Sequence, residues 1–482
     1  MNVAELVVFI IYLVFMIGIG VFFFARSKGA NEKDYFLGGR KMGAWVSALS
    51  AGASDMSAWV LMGLPASIYA MGMGQTWIAI GLAIGYALSW IFEAPRLRRF
   101  SIVANDSITI PQYLTNRFLS KSKALQIICA VIFVFAYTIY AASSILACGT
   151  LFNTVIGMNA TTAMYLAAAI IIGYTFLGGF SAVCWTDFFQ GLLMLAALLV
   201  APIFALALVK SGSVQATTEF PPHYWSFAQD WRDIASGLGW GLGYFGMPHI
   251  IIRFMSIRSQ KELRKSSVIG ITWTVIILVM SVMAGAVGRM FMGEIEDSAT
   301  VFIQMTRRIF PSVISGILLS AILAASMSTA DSQLLASASA FASDVYKPVF
   351  RKNATDKEML WVGRAVVALI AVIALIIAAN PNSGTIMGLV SNAWGVFGAA
   401  FGPVILLSLF WKRLTFSGAV AGIVTGAAVD ILWLAFLSGT GLYEIIPGFA
   451  CGLVLAVCVS LASPEPDDDV KALFDRAATS EV

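Results

Sequence analysis

The stretch SALSAGASDMSAW, residues 47–59, interrupts an apolar segment with a glycine, four serines and an aspartate, Asp55. A carboxylate at the depth of a membrane costs about 2.5 kcal/mol or more unless it faces a cavity or a partner. A helix that breaks there also leaves backbone carbonyl and N–H groups without their usual partners. We therefore interpret this stretch as a broken membrane helix whose freed groups are satisfied by a ligand or water.

The composition of the whole chain is that of a helical membrane protein. Of its 482 residues, 59% are hydrophobic and only 12% are charged, whereas an average soluble domain carries about 25% charged residues. Apolar runs of about 20 residues recur along the chain, and each is long enough to cross a lipid bilayer. The net charge of +4 comes from basic residues in short loops, so it indicates no nucleic-acid partner.

Apolar windows predict an all-α polytopic membrane protein with 13 transmembrane helices. The predicted spans are 4–25, 44–70, 75–95, 124–150, 161–178, 185–209, 232–252, 266–288, 311–342, 358–379, 384–411, 416–437 and 443–462.

The positive charges alternate between the two sides of the membrane. One set of loops, together with the tail, holds 25 of the 30 Lys and Arg residues, and that side should be cytoplasmic. This places the N-terminus outside and the C-terminus inside the cell. The loops of the basic side are 26–42, 96–123, 253–265, 343–364 and 412–413.

Two predicted spans are broken at matching positions. The second breaks at SAGASDMS and the seventh at GWGLGYFGMPH, and four further spans follow each break. Two sets of five spans, with the second set inverted, are typical of secondary transporters. The alternative, a simple kink for packing at each break, stays open.

The predicted parts are 1–43 with the first helix and a cytoplasmic loop, 44–231 and 232–415 with the two repeats, 416–462 with two peripheral helices, and 463–482 with a cytoplasmic tail.

The ninth predicted span carries small polar residues on one helical face. In AASMSTADSQLL, residues Ala325, Ser328, Thr329 and Ser332 recur at helical spacing. Hydroxyl groups and freed carbonyls are oxygen ligands of the hard type that a small cation such as sodium needs. Close packing of small residues between helices is the alternative interpretation.

Two further acids lie in apolar segments. Asp331 follows the hydroxyl stripe, and Asp187 stands in CWTDFFQ near the predicted start of the sixth span. Asp187 could act at a site or could merely cap its helix. His249 ends the second break, where a hydrogen bond to a freed carbonyl is favoured over a proton relay.

Motifs of other functions are missing from the sequence. There is no GxxxxGK[ST] loop, which argues against ATP-driven transport, and no HExxH zinc motif. We expect a protein that is not an enzyme and that uses no organic cofactor.

At these residues the sequence resembles the sodium/solute symporter family, and within it the branch that transports proline. The resemblance extends almost from end to end, and the pair ASDMS and GWGLGYFG is typical of that branch. The shared stretches are DYFLGGR (34–40), SALSAGASDMSAWVLMGLP (47–65), WIAIGL (77–82), YTFLGGFSAVCWTD (174–187), GWGLGYFGMPHI (239–250), ILLSAILAASMST (317–329), WVGR (361–364) and GLYEIIPGF (441–449).

The resemblance implies sodium-coupled uptake of L-proline by alternating access in a bacterial cytoplasmic (inner) membrane. It implies Na+ as the coupling ion and the lipid bilayer as surroundings, with no obligate protein partner. It also assigns roles to residues. The implied sodium ligands are backbone oxygens of Ala53, Met56 and Ala325 with the hydroxyls of Ser328 and Thr329, and the implied coupling acids are Asp55 and Asp187. The implied substrate contacts are Ser57, Tyr140, Trp240, Tyr244 and Pro248.

A second cation site is in doubt. Some relatives are expected to bind another sodium between the acid at 187 and serines one turn past the main site. Here that turn reads Ala330, Asp331, Ser332, so an aspartate stands where a serine is expected. Asp187, Asp331 and Ser332 therefore mark a possible second cation or proton site.

Three rivals to this interpretation stay open. A membrane sensor would need a signalling domain, and the polar tail of about 20 residues is too short for a kinase. An ion channel would need a pore-lining filter sequence, which we do not find. Another small amino or imino acid could also replace proline as the cargo.

Overall fold

The structure is a computed structural model that describes residues 2–26, 32–175 and 179–480. Within these ranges the backbone is helical and forms no β-strand, and one isolated parallel bridge pairs Met42 with Ile257. The prediction of an all-helical protein is therefore confirmed.

The described ranges contain twenty α-helices, numbered here in chain order. They are α1 Val3–Arg26, α2 Glu32–Leu37, α3 Ala44–Asp55, α4 Gly63–Met71, α5 Thr76–Leu88, α6 Ala94–Val103, α7 Ile110–Arg117, α8 Ala124–Ile156, α9 Ala160–Thr175, α10 Phe180–Lys210, α11 Trp231–Gly239, α12 Pro248–Ser256, α13 Gln260–Met292, α14 Val301–Ile309, α15 Ser312–Ser339, α16 Asp356–Ala379, α17 Ile386–Phe410, α18 Phe416–Phe436, α19 Ile445–Ala462 and α20 Asp468–Thr479.

Ten helical segments of the described chain are long and apolar enough to cross a membrane. They match ten of the thirteen predicted spans. The segments are Val3–Phe23, Met73–Val103, Ala124–Ile156, Phe180–Lys210, Gln260–Met292, Ser312–Phe350, Lys357–Ala379, Ile386–Phe410, Phe416–Phe436 and Ile445–Ala462.

The other three predicted spans are shorter or interrupted helices. The second and seventh are the two that the sequence predicts to be broken, and the fifth is α9, with 16 residues. The predicted end of the fifth span, 176–178, lies outside the described residues. The count of thirteen spans, the inverted repeat and the part boundaries stay predictions.

Both breaks lie where the sequence places them. After α3 the chain leaves helical geometry at Met56, passes through a short 3-10 turn at Ala58–Val60 and re-enters a helix at Gly63. After α11 a 3-10 turn at Trp240–Phe245 precedes α12. Pro248 opens α12, a position that suits proline because the first helical N–H has no intrahelical partner.

Glycines allow the second broken helix to lie directly against α5. A Cβ atom on Gly85 would stand 2.2 Å from the backbone oxygen of Gly241, and one on Gly81 would stand 2.3 Å from that of Gly237. Real Cβ atoms do not approach backbone so closely, so these positions require glycine. The contact fixes the position of the second break along the axis of α5.

On the predicted cytoplasmic side, the segment before α3 is joined to the segment after α12. The Met42 N–H donates to the oxygen of Ser256 at 3.2 Å, and the Arg258 N–H donates to the oxygen of Met42 at 3.1 Å. Arg40 donates to the oxygen of Met255 at 2.6 Å. The half-helices α3 and α12 are therefore connected at their basic ends.

Arg40 also binds an acid of the neighbouring loop. Its Nε atom lies 2.9 Å from Asp106, which Lys33 contacts as well. Burial alone would raise the pKa of Asp106, but the hydrogen bonds from Lys33 and Arg40 outweigh it and leave that pKa below its ordinary value.

We expect Gly85→Ala to lower the free energy of unfolding by about 2 kcal/mol, because the added methyl group must push α5 away from Gly241. Thermal unfolding of the purified protein in detergent measures the effect. Gly18→Ala is the matched control, since a Cβ on Gly18 of α1 meets no atom within 4 Å. Equal melting temperatures for the two variants would contradict the backbone-to-backbone contact.

Candidate ion and substrate site

The end of α3 meets the middle of α15 through a serine hydroxyl. Ser328 donates to the backbone oxygen of Ala53 at 2.8 Å and lies 3.2 Å from the oxygen of Ala325. All three residues are buried. The structure thus brings together three of the five residues that the resemblance implies as sodium ligands.

The other two implied ligands adjoin this contact along the chain. The Thr329 hydroxyl is buried and has no hydrogen-bond partner among the described residues. Met56 is the first residue past α3, with ψ of 68°, so its carbonyl does not continue the helical ladder. An unpartnered hydroxyl and a carbonyl outside the ladder, beside the Ser328 contact, are the donor types that suit a small hard cation.

Asp55 is fully buried at the C-terminal end of α3. The Tyr244 hydroxyl donates to its Oδ2 atom at 2.6 Å, which links the two broken helices. Its Oδ1 atom has no hydrogen-bond partner among the described residues, and no described basic side chain forms an ion pair with it. The carboxylate is therefore available to a cationic ligand.

Several groups converge on the backbone oxygen of Asp55. The Trp59 indole N–H donates to it at 3.3 Å and the Tyr140 hydroxyl at 3.4 Å. The Ser57 hydroxyl accepts the N–H of Trp59 at 3.4 Å, which opens the 3-10 turn. Ser57, Tyr140 and Tyr244 therefore surround the first break, as the resemblance implies.

Trp240, the first residue of the 3-10 turn at the second break, lies among other aromatic rings. Its ring centroid is 6.5 Å from that of Trp59, 6.3 Å from that of Trp394 and 5.2 Å from that of Tyr443. The Trp394 indole donates to the backbone oxygen of Trp240 at 2.8 Å. These rings offer an apolar surface with a few fixed donors, which suits a small ring-shaped ligand.

Pro248 and His249 begin α12 beside the first break. The Nε2 atom of His249 lies 3.1 Å from the oxygen of Ser54, and Nδ1 lies 3.2 Å from the Tyr137 hydroxyl. Because a carbonyl oxygen only accepts, Nε2 carries the hydrogen and Nδ1 accepts from Tyr137. His249 thus bonds a freed carbonyl, the structural role that the sequence favours.

Asp187 forms a buried ion pair with Arg253. The Nη2 atom of Arg253 lies 3.1 Å from Oδ2 of Asp187, and both side chains are at most 2% exposed. Ser50 donates to the same carboxylate oxygen at 2.7 Å and accepts from Nε of Arg253 at 3.1 Å. This cluster joins α3, α10 and α12 one turn from the sodium ligands.

Ser332 and Asp331 extend this cluster to α15. Arg253 donates to the Ser332 hydroxyl at 2.5 Å, and Ser332 lies 3.3 Å from Oδ1 of Asp331. The Oδ2 atom of Asp331 has no hydrogen-bond partner among the described residues. The three residues that mark the possible second site thus lie around a guanidinium group.

Two interpretations of the sequence are wrong here. Asp187 does not cap its helix, because α10 already begins at Phe180 and its N-cap is Gly179. Arg253 is not a loop residue of 253–265: α12 continues to Ser256 and buries it.

Sequence reasoning missed several of the groups that support the site. Arg253 stands at the end of an apolar run, where a charge is usually taken as the start of a loop. Trp394 and Tyr137 resemble any other aromatic residue in an apolar span. Only the spacing of His249 and Arg253, four residues apart on one helical face, could have indicated the buried position.

The chain is similar to a known protein family and to named bacterial proteins. The profile described as "Sodium:solute symporter family" matches residues 35–426. The "Sodium/proline symporter" of Escherichia coli (strain K12) is 43% identical over 490 residues, covering 98% of this chain and 96% of that protein. The "High-affinity proline transporter PutP" of Bacillus subtilis (strain 168) is 42% identical over 461 residues, covering 94% and 97%.

A solved structure has the same fold over nearly the whole chain. It is the substrate-bound outward-open state of a Na+-coupled sialic acid symporter, with a TM-score of 0.77 and 20% identity, and the match covers 96% of this chain and 99% of that one. At that identity the likeness shows the fold alone. The family profile and the relatives together establish that this chain belongs to the sodium:solute symporter family.

Proposed function

We propose that this protein is a secondary active transporter that couples sodium entry to the uptake of L-proline by alternating access. The contact of Ser328 with the carbonyl of Ala53 at the first break carries the proposal, because it brings cation-type ligands from two helices together. Relatives above 40% identity are named as proline transporters. The protein is accordingly a transporter and not an enzyme, with sodium as its coupling ion.

Sodium would bind between α3 and α15. Its proposed ligands are the backbone oxygens of Ala53, Met56 and Ala325 and the hydroxyls of Ser328 and Thr329. The sodium ion would take the place of the hydrogen bond between Ser328 and Ala53, and the hydroxyl would turn its oxygen lone pair toward the ion. Binding would therefore fix the relative position of the two helices.

Proline would bind beside this ion, between the two breaks. Its carboxylate would accept from freed N–H groups, and its secondary ammonium would donate to carbonyls or hydroxyls near Ser57 and Tyr140. Its ring would pack on Tyr244 and Trp240, with Pro248 closing the pocket. Asp55 would balance the positive charge near the ion, since it has an unpartnered oxygen.

One sodium per proline supplies enough free energy for uptake. Moving one charge inward along the membrane potential yields about 2.3 kcal/mol per 100 mV. That energy corresponds to about fifty-fold accumulation, before the sodium gradient is added.

The cluster around Asp187 favours a single sodium. Arg253 already binds Oδ2 of Asp187 and the Ser332 hydroxyl, so a second cation would have to share these ligands with it. Oδ1 of Asp187 and Oδ2 of Asp331 have no hydrogen-bond partner among the described residues. A resident guanidinium repels another cation at this distance. We therefore assign the positive charge of this site to Arg253 and not to a second ion.

The membrane arrangement is part of the proposal. Thirteen spans, two inverted repeats of five, an external N-terminus and a cytoplasmic C-terminus agree with the alternation of charged loops and the matching breaks. The membrane would be the cytoplasmic (inner) membrane of a bacterium, as the bacterial relatives suggest. No obligate protein partner is proposed.

Uptake of labelled proline into proteoliposomes tests the proposal. An inward sodium gradient should drive accumulation that unlabelled proline blocks, and matched potassium or proton gradients should not. Asp55→Asn should abolish sodium-stimulated binding, because Asp55 is the only carboxylate at the break among the residues that the structure describes.

Different outcomes of this experiment would contradict different parts of the proposal. Uptake driven by protons alone would contradict sodium as the coupling ion and direct attention to Asp331. Failure to transport proline, with uptake of another small amino or imino acid, would contradict the cargo and leave the fold unchanged.

We expect Ser328→Ala to raise the sodium concentration for half-maximal uptake at least tenfold, since it removes one oxygen ligand worth about 1.5 kcal/mol or more. Sodium titration of proline uptake gives this value. Ser320→Ala, on the same helix, is the matched control, because its hydroxyl bonds only the local backbone oxygen of Gly316. A tenfold change in the control as well would point to helix damage and refute a specific role for Ser328.

We expect Arg253→Gln to destabilise the protein by about 3 kcal/mol, because it leaves Asp187 buried without a counter-charge. The double variant Arg253→Gln, Asp187→Asn should recover much of this loss, because neither charge then remains. A double-mutant cycle based on thermal unfolding in detergent measures the coupling. Additive losses would show that the two side chains do not form the stabilising pair.

A further inference from the structure

A cavity of about 740 Å³ opens at the predicted cytoplasmic side, away from the transport site. It lies between α6, the start of α13 and the C-terminal end of α20. Its wall combines polar and apolar groups. Its lining includes Arg99, Arg264, Gln260, Ser267, Ile91 and Leu263.

Two arginines give the cavity a positive wall. Arg99 donates to the backbone oxygens of Ala478 and Ser480, both at 3.3 Å, which holds its guanidinium beside the end of α20. Arg264 is exposed and forms no ion pair with any described residue. An anion entering the cavity would therefore meet one anchored and one available guanidinium group, with the polar side chains of Gln260 and Ser267 beside them.

Part of the cavity wall is apolar and exposed at the protein surface. Ile91 is 52% exposed and its neighbour Phe92 is 55% exposed, on a helical segment long and apolar enough to cross a bilayer. Val268, next to the cavity residue Ser267, is 67% exposed. The cavity thus spans the boundary between the hydrocarbon region and the basic loops.

A ligand that satisfies both walls must be amphipathic and negatively charged. A soluble anion would gain nothing from Ile91 and Leu263, and a zwitterionic lipid would bring its own cation next to the two arginines along with its phosphate. Basic pockets between membrane helices on the cytoplasmic side are suited to anionic lipid headgroups. The size, at about 740 Å³, is sufficient for a glycerophosphate headgroup and the first part of an acyl chain.

We propose that this cavity binds one anionic phospholipid, whose phosphate is bound by Arg99 and Arg264 and whose acyl chain leaves along Ile91. The site also borders the transport machinery. Trp90 lies in its wall, and the Trp90 ring is 4.6 Å from that of Phe254 in the half-helix α12. Bound lipid would therefore support the position of α12 through Trp90.

Native mass spectrometry of the full chain in detergent tests this site, with phosphatidylglycerol as the probe and phosphatidylcholine of the same acyl chains as the reference. Phosphatidylglycerol should bind at least fivefold more tightly. Arg264→Gln should weaken its binding about fivefold, the value of one basic residue near an anionic lipid surface. Arg264 is exposed, so the variant should fold normally.

Two controls complete the design. Arg476→Gln removes an exposed charge on α20 outside the cavity wall and should leave lipid binding unchanged. Ser267→Trp should fill the cavity and reduce binding with all charges retained. Equal binding of the two lipids, or equal loss in Arg264→Gln and Arg476→Gln, would overturn the proposal. Displacement of phosphatidylglycerol by soluble glycerol phosphate at equal concentration would overturn the lipid assignment and identify a site for soluble anions.

Discussion

Backbone carbonyls at a helix end inside a membrane need partners, because no bulk water is present to supply them. The carbonyls of residues 53–55 at the end of α3 find theirs on three other helices. The partners are Ser328 of α15, His249 of α12 and Tyr140 of α8. A single break therefore determines how four helices meet. It also explains why polar groups cluster there while the surrounding spans remain apolar, since each polar side chain satisfies a group that the break has freed.

Two buried acids near this break, Asp55 and Asp187, have different partners. The difference indicates which of the two carboxylates needs a cation from solution. Asp187 has Arg253 as a resident counter-charge and Ser50 as an additional donor. Asp55 has only the neutral hydroxyl of Tyr244 and forms no ion pair with a described basic side chain. A buried carboxylate without a cation is costly. An incoming cation would therefore stabilise the unpaired charge of Asp55 more than that of Asp187, in agreement with the proposed sodium site beside Asp55.

The sequence predicts the two breaks well because glycine, serine and an acid are rare in apolar spans, and composition alone reveals them. It leaves a capping role open for Asp187, which the structure rules out because α10 begins earlier, at Phe180. It misses Arg253 because the partner of this residue lies 66 positions away in the chain, and no local pattern reports such a contact. The proposed sodium ligands likewise come from different parts of the chain, so they are predicted from the family resemblance. The spacing of hydroxyl residues on α15 indicates that they share one helical face, but only the fold shows that Ala53 of α3 lies against that face.

The hydrogen bonds at the first break and the cluster around Arg253 lie one turn apart on the same helices, and this spacing couples them mechanically. The pairs are Ala53 and Ser50 on α3, Ser328 and Ser332 on α15, and His249 and Arg253 on α12. Residues three or four apart share a helical face, so any movement that separates α3 from α15 must strain both sets of contacts. In the proposed mechanism sodium would strengthen the first set, whereas the Arg253 cluster is held by its ion pair and hydrogen bonds without it. Through Ser50 and Asp187, Arg253 links α12 to α3 and α10, and the ion would add the contact that can be gained and lost. The proposed alternating access would then depend on a reversible contact placed beside a lasting one.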